Sequence, residues 1–334
     1  MKICIYGAGA IGGWIGARLA APALGHQVSV VARGQTLAAL QQHGLRLQPA
    51  PASPDAALPD AISAPVTAHT DPAALGVQDL VIVAVKAPAL LEVARHIGPL
   101  LGPDTVVLTA MNGVPWWFLQ GFGGAYADTP LHAVDATGDI ARAIPKAQVM
   151  GCVVHASCSL KGPGFVHQHF GNTLIVGEPA GGRSARLTRI VDALLAAGLD
   201  AKVSEQIQKD TWYKLWGNMT VNPVSAFTGA TTDLIMRDEL VLNFISSVML
   251  EAKDIGARIG IPIDQRPEDR HQVTRKLGAF KTSMLQDVEA GRQVELDALV
   301  AVVRELGQIT GVATPFTDAL LGLARVHARV HDLY

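Results

Sequence analysis

Between a β-forming run at Lys2–Tyr6 and a helix-forming stretch that reaches Leu24 stands Gly7-Ala8-Gly9-Ala10-Ile11-Gly12. Glycines spaced G-x-G-x-x-G, directly after a strand and opening a helix, constrain this chain more than any other feature. The first glycine permits a tight turn, the second lets backbone approach a pyrophosphate, and the third allows close helix–strand packing. The helix that follows turns unpaired N–H groups and a partial positive charge toward phosphates. The spacing alone also fits a glycine-rich turn with no ligand. The preceding strand, the N-terminal position and a second β-branched run at Val28–Ala32 favour a dinucleotide site in a Rossmann-type, doubly wound α/β sheet.

The next clue is an absence. NAD-binding folds place an Asp or Glu about 20 residues after the motif to bond the ribose hydroxyls. Here no acidic residue precedes Asp55, and the second strand ends at Arg33. A guanidinium there suits a 2′-phosphate through charge-assisted bidentate bonds, so NADP(H) is expected over NAD. A solvated surface arginine is the plain alternative. Two more polar residues end apolar runs: Lys86 after Leu80–Val85, and Asn112 (with Gly113) after Thr105–Ala110. Ligands of open α/β sheets bind outside the carboxyl ends of the strands, where both residues would stand.

Length and composition bound the rest. At 334 residues, and about 150 per domain, the chain should hold about two domains. Hydrophobic residues make up 49% and charged ones 17%, which excludes intrinsic disorder. A net charge of −2 gives no surplus to grip nucleic acid. Cys4, Cys152 and Cys158 form no Cys-x-x-Cys pair, so a reduced, cytoplasmic setting is expected. Residues 1–23 mimic a signal peptide, but Gly7, Gly9, Gly12, Gly13 and Gly16 break the apolar stretch. No membrane span is expected either.

Continuous apolar runs separated by helical stretches predict a parallel sheet buried on both faces. A Pro/Ala-rich stretch with Pro49, Pro51, Pro54, Pro59 and Pro65 is expected to be loop or edge structure. Further β-like runs lie at Val149–Ser159, Gly164–Phe170 and Thr173–Gly177. Helical periodicity then takes over in Ala185–Ala197, Gln206–Met219, Leu240–Gly256, Thr274–Glu289, Val294–Thr310 and Thr317–Asp332. The expected organisation is a dinucleotide-binding domain over 1–203 and an all-helical substrate and catalytic domain over 204–334.

In the helical half, Lys214, Asn218 and Asn222 fall at i, i+4 and i+8, which stack on one helix face. Their neighbours, Trp212 to Met219, are otherwise strongly apolar, so the face should line a cleft. Pro223 is expected to kink or end this helix. A partly desolvated lysine is a natural proton donor to a carbonyl being reduced; a snorkelling lysine with two incidental asparagines is the bland reading. His167/His169 and His327/His331 have ligand-like spacings but no accompanying Cys or carboxylate set, so no metal site is expected.

GAGAIG, Arg33, VAVK ending at Lys86, MNGV at Asn112 and W-x-K-L-x-x-N-x-x-x-N-P around Lys214 together resemble the ketopantoate reductase (2-dehydropantoate 2-reductase) family. So does Ser283-Met284-Leu285-Gln286-Asp287, followed by Gly291-Arg292-Gln293-Val294-Glu295-Leu296-Asp297. The resemblance runs the length of the chain. It implies NADPH-dependent reduction of ketopantoate to pantoate, a step of pantothenate and coenzyme A biosynthesis. It further implies Lys214 as general acid and Glu295 as its support and a contact to the new hydroxyl. Asn218, Asn222 and Ser283 would bind the substrate's carboxylate and hydroxyls. Asn112 would lie at the nicotinamide–substrate junction, and Lys86 would serve cofactor binding or domain closure.

Two departures qualify the carry-over. Thr231-Thr232 stands where some members carry a further asparagine-like contact. Trp116-Trp117 sets two large aromatics close to Asn112, where they could reshape the pocket for another 2-oxo acid or simply pack between domains. The alternatives are thus a same-fold reductase of a different 2-oxo acid, or a non-catalytic NADP-binding sensor. The partners expected are a small 2-oxo acid and a second copy in a homodimer, with no nucleic acid and no membrane.

Overall fold

The structure is a computed structural model that describes residues 1–51, 53 and 56–334. Pro54 of the proline-rich stretch and Asp55, the first acid, lie outside the described residues. The chain forms two compact units: Met1–Met111 with Asp139–Ile207, and Asn112–Gly138 with Gln208–Tyr334.

The first unit runs β1 (Lys2–Tyr6), α1 (Ala10–Leu19), β2 (Gln27–Val31), α2 (Gly34–His43), β3 (Leu45–Gln48), β4 (Ile62–Ala64), β5 (Thr67–His69) and β6 (Leu80–Val83). It continues through α3 (Leu90–His96), β7 (Val106–Thr109), α4 (Asp139–Ala143), β8 (Val149–Gly162), β9 (Phe165–Gly177), α5 (Ala185–Ala196) and β10 (Asp200–Val203). The sheet order is β4-β3-β9-β8-β7-β6-β1-β2-β5, with β10 on β9. From β5 through β2, β1, β6 and β7 to β8 every pairing is parallel, as the buried apolar runs predict. Every residue of β6 and β7 is buried.

Beyond β8 the sheet is mixed rather than parallel. β8 and β9 pair antiparallel, as do β3 and β4. Only Pro163 and Gly164 separate β8 from β9, and a two-residue link can join only antiparallel neighbours. Gly164 sits at φ +65°, which a tight hairpin turn requires and glycine meets without strain. The runs Gly164–Phe170 and Thr173–Gly177 are therefore one long strand, β9, irregular opposite His155–Cys158. The proline-rich stretch supplies edge strand β4 and otherwise no regular structure in its described residues.

The second unit holds α6 (Ile207–Thr228), α7 (Thr232–Ile235), α8 (Glu239–Arg258), α9 (Pro267–Arg275), α10 (Ser283–Glu289), a π-helical turn at Asp297–Ala301, α11 (Val302–Thr310) and α12 (Pro315–Val330). Its core joins Trp212, Trp216, Met219, Ile255 and Leu306 to Phe118, Leu119 and Leu131. Residues 112–138 thus pack with the helices, whereas the expected division at 203 leaves them with the sheet. Glu305 of α11 fixes this excursion by accepting from the backbone N–H of His132 at 2.7 Å and of Ala133 at 2.8 Å.

Two helix expectations need correction. Of the two outcomes expected at Pro223, a kink or an end, the end does not occur: α6 continues to Thr228. An interior proline costs about 3 kcal/mol, but Val221, Val224 and Ala226 are buried in the core and offset it. The periodic stretch Thr274–Glu289 is two helices, not one. Between them Thr232 ties the connection down: its Oγ1 donates to Gly278 O at 2.6 Å and its N–H to Phe280 O at 2.9 Å. Among the described residues, no helix is long and apolar enough to cross a membrane.

Candidate functional site

In the first unit the polypeptide leaves β1 at the point where the strand order reverses, with β2 on one side and β6 on the other. Crevices of this kind are where open α/β sheets bind ligands. Gly7 turns there at φ +102°, and a Cβ on it would meet Val85 Cγ1 at 2.6 Å. A Cβ on Gly12 would come within 2.0 Å of Gly7 O and 3.1 Å of Ile5 Cγ2, so α1 can lie on β1 only with glycine there. Gly9 is different: a Cβ on it would meet nothing within 4 Å. It caps α1, whose first turn, beginning at Ala10-Ile11, carries no acid. The closed turn, the open space at Gly9 and the unopposed helix N-terminus fit a dinucleotide's pyrophosphate. Ala8, between the two glycines, is partly buried.

Arg33 caps α2 at the end of β2. Its side chain is 71% exposed, and its nearest acid is Glu92 Oε1, 4.0 Å from Nη1. An exposed pair at that distance is worth little, so the guanidinium is available to an anion. Lys86 heads the short turn after β6, is partly buried and takes part in an interaction within the protein. Both stand at carboxyl ends of parallel strands, as predicted.

In the second unit, the Trp216 indole donates to Met249 O at 2.8 Å, and Trp212 packs so tightly on Gly256 that a Cβ there would lie 2.4 Å from Nε1. These contacts seat one side of α6 on α8 and turn the Lys214, Asn218, Asn222 face away from it. Lys214 Nζ donates to Asn112 Oδ1 at 2.8 Å. Asn112 is in turn held by its neighbours. Val114 N–H donates to Ala298 O at 2.8 Å, and a Cβ on Gly113 would lie 2.4 Å from that same oxygen.

Ala298 belongs to the π-helical turn that follows Glu295, a kind of turn often found at functional sites. Glu295 is 8% exposed and takes part in an interaction within the protein. The structure thus brings Lys214 and Asn112 together and holds Gly113 and Val114, which follow Asn112, on Ala298, three residues along the sequence from Glu295. Among the described residues, the amides of Asn218 and Asn222 make no hydrogen bond to protein, although Asn222 is only 8% exposed.

Ser283 begins α10 with its side chain exposed, while the buried Thr282 before it caps the helix by accepting from Leu285 N–H at 3.2 Å. Thr231 and Thr232 serve the fold: Thr231 donates to Asp233, and Thr232 holds residues 278–280. Trp116 and Trp117 are 4% and 1% exposed, and the buried Trp116 indole N–H has no hydrogen-bond partner among the described residues. His167 stacks near His169 and His327 near His331. Among the described residues, no group of three His, Cys, Asp or Glu is arranged to hold a metal. The three cysteines are free thiols, and burial pushes those of Cys4 and Cys158 up to about 12. The π turn, invisible to hydrophobic periodicity, is the element of this region that sequence reasoning missed.

The ketopantoate reductase PanE/ApbA profile matches residues 3–181, and the profile of the family's C-terminal region matches 206–328. A 2-dehydropantoate 2-reductase of Mesorhizobium japonicum is 42% identical over 327 residues, 97% of each chain. A solved structure from Ralstonia solanacearum MolK2, described as a candidate ketopantoate reductase, is 55% identical over 99% of each chain, with a TM-score of 0.90. A ternary structure of D-mandelate dehydrogenase with NADH and anilino(oxo)acetate shares the fold over the whole of both chains, at 22% identity and a TM-score of 0.82. A Rossmann-like sheet unit followed by a helical unit, with these relatives, defines an oxidoreductase. The chain belongs to the ketopantoate reductase family, whose members use NADPH.

Proposed function

We propose that the chain reduces ketopantoate to pantoate with NADPH, the sheet unit taking the dinucleotide and the helical unit the 2-oxo acid. The observation that carries this reading is the 2.8 Å bond from Lys214 Nζ to Asn112 Oδ1, on a helix face that also presents two amides uncommitted within the protein. Bound NADPH supplies the hydride. Lys214 delivers a proton to the ketone oxygen as negative charge develops on it, and Asn112 keeps the ammonium in one place while it does so.

Glu295, nearly buried, supports the lysine and contacts the hydroxyl being formed. Asn218, Asn222 and Ser283 bind the carboxylate and hydroxyls. Gly7 to Gly12 and the N-terminus of α1 hold the pyrophosphate, Arg33 the 2′-phosphate, and Lys86 assists binding or closure. Thr231 and Thr232 are spent within the fold, so the substrate contact that an asparagine would add there is missing.

Lys214→Ala should lower kcat by about two to four orders of magnitude, the usual worth of a positioned proton transfer, and leave NADPH affinity unchanged. Combined with Glu295→Ala the losses should be non-additive, as for residues acting as one unit. Steady-state oxidation of NADPH by ketopantoate reads both. Near-normal turnover in Lys214→Ala would refute the mechanism.

A second reading, another 2-oxo acid as substrate, is favoured by Trp116, whose buried indole N–H has no protein partner four residues beyond Asn112. A panel of branched and aromatic 2-oxo acids separates the two readings by kcat/KM.

A further inference from the structure

Among the described residues, Arg270 of α9 is a cation without an anion. It is partly buried, its Nε is fully buried with no hydrogen-bond partner, and among the described residues no carboxylate lies within ion-pairing distance. Its guanidinium carbon instead stands 5.4 Å from the centre of the Tyr213 ring, and Tyr213 is itself held by its hydroxyl donating to Gln265 Oε1 at 2.8 Å. Withdrawing a guanidinium from water with no anion opposite costs free energy, and stacking on one partly buried ring returns only about 0.5–2 kcal/mol. A fold bears that cost where the partner arrives from outside.

The placement is built rather than incidental. A Cβ on Gly217 would lie 2.5 Å from Arg270 Nε, 2.8 Å from Nη2 and 3.0 Å from Cζ, so the guanidinium lies directly on the α6 backbone. Any other residue at 217 would push it off. Gly217 falls between Lys214 and Asn218, less than one helical turn from the first and adjacent to the second. Arg270 therefore flanks the face that presents Lys214, Asn218 and Asn222, fixed from below by a glycine and from the side by an aromatic ring.

We propose that Arg270 binds the carboxylate of the 2-oxo acid and so selects for an anionic substrate. This rests on the reading of α6 as the substrate-binding helix. A planar fork of N–H donors adds a charge-assisted bond to the carboxylate that the neutral groups of Asn218, Asn222 and Ser283 also contact. Removing it should weaken binding of the acid about ten- to a hundredfold, the usual range for a charge-assisted bond, and leave a neutral analogue almost unaffected.

The test measures binding by calorimetry, with NADP⁺ saturating, of 3-methyl-2-oxobutanoate and of its uncharged methyl ester. The intact protein should prefer the acid; Arg270→Ala should lose that preference, Arg270→Lys should keep part of it, and Gly217→Ala should lower it by displacing the guanidinium. NADP⁺ affinity should not change; if it falls instead, the anion held is a phosphate of the dinucleotide and the proposal is wrong. An acid-to-ester ratio equal in the intact protein and Arg270→Ala likewise overturns it. The readout does not depend on turnover: inactivity toward ketopantoate with an Arg270-dependent preference for the acid would defeat the proposed reaction and leave this inference standing.

Discussion

Gly9 and Gly12 stand three residues apart in one motif and answer to different neighbours. The Cβ absent from Gly12 would overlap the Gly7 carbonyl at 2.0 Å, while the one absent from Gly9 would point into open space. A side chain at 12 therefore acts on the folded protein and one at 9 acts on the ligand alone. Gly12→Ala should lower the melting temperature, since forcing atoms into a closed packing typically costs about 1–3 kcal/mol and here the opposing atom is backbone. Gly9→Val should melt as the unaltered protein does and bind NADPH at least tenfold more weakly. Thermal melts and a fluorescence titration with NADPH read the two effects. Normal affinity in Gly9→Val would put the pyrophosphate elsewhere. The motif and Arg33 were legible in sequence because glycine spacing and the lack of an early acid are local facts. Glu92 beside Arg33, contributed by α3, is a tertiary fact that no local pattern carries.

Helix ends show how one element completes another. α12 opens with Thr314 at its N-cap, which makes no side-chain capping bond. The cap comes instead from α8: Glu251, 8% exposed, accepts from Phe316 N–H and Thr317 N–H at 2.8 Å each and from Thr317 Oγ1 at 2.6 Å. Removing a buried carboxylate that satisfies three donors leaves all three unpaired, so Glu251→Ala should cost about 3–5 kcal/mol. Glu251→Gln, which keeps one acceptor oxygen, should cost less. Urea unfolding measures both, and a loss under about 1 kcal/mol in Glu251→Ala would show that the cap is dispensable. Nothing in the sequence announced this arrangement, because Thr314-Pro315 already reads as a sufficient start signal. The same limit explains Pro223 and β9. Local rules end a helix at proline and split a strand at Gly171-Asn172, but core packing around α6 and pairing with β8 override them. Lys214, Asn218 and Asn222 were legible because helical periodicity alone places them on one face. The bond from Lys214 to Asn112 was not, since it spans 102 residues.

Across the whole molecule, buried titratable groups set how stability responds to acid. His271, 4% exposed, bonds Ser246 through Nε2 at 2.9 Å, and burial holds its pKa below the ordinary 6.5. Burial likewise lowers His26, His169 and His327. A group whose folded pKa is depressed stabilises the fold in full above its unfolded value and loses that contribution as pH falls through the folded value. The imidazoles should thus make the protein less stable as pH falls from near 6.5. Glu178 acts lower. Burial pushes its carboxyl up, but hydrogen bonds from Arg186 and Ser184 with the Arg186 charge prevail and hold it below 4.5. Its contribution is complete above that value and is lost only as pH falls through the lower, folded one. Melting temperatures followed from pH 8 to about pH 3.5 should therefore fall in two stages. His271→Gln should make the upper stage shallower by the share of His271 and leave the lower one in place; Glu178→Gln should remove the lower stage and leave the upper, at a lower plateau because a buried partner of Arg186 has lost its charge. If His271→Gln keeps the full upper slope, His271 is not protonated on unfolding in that window, and the acid response belongs to the other histidines.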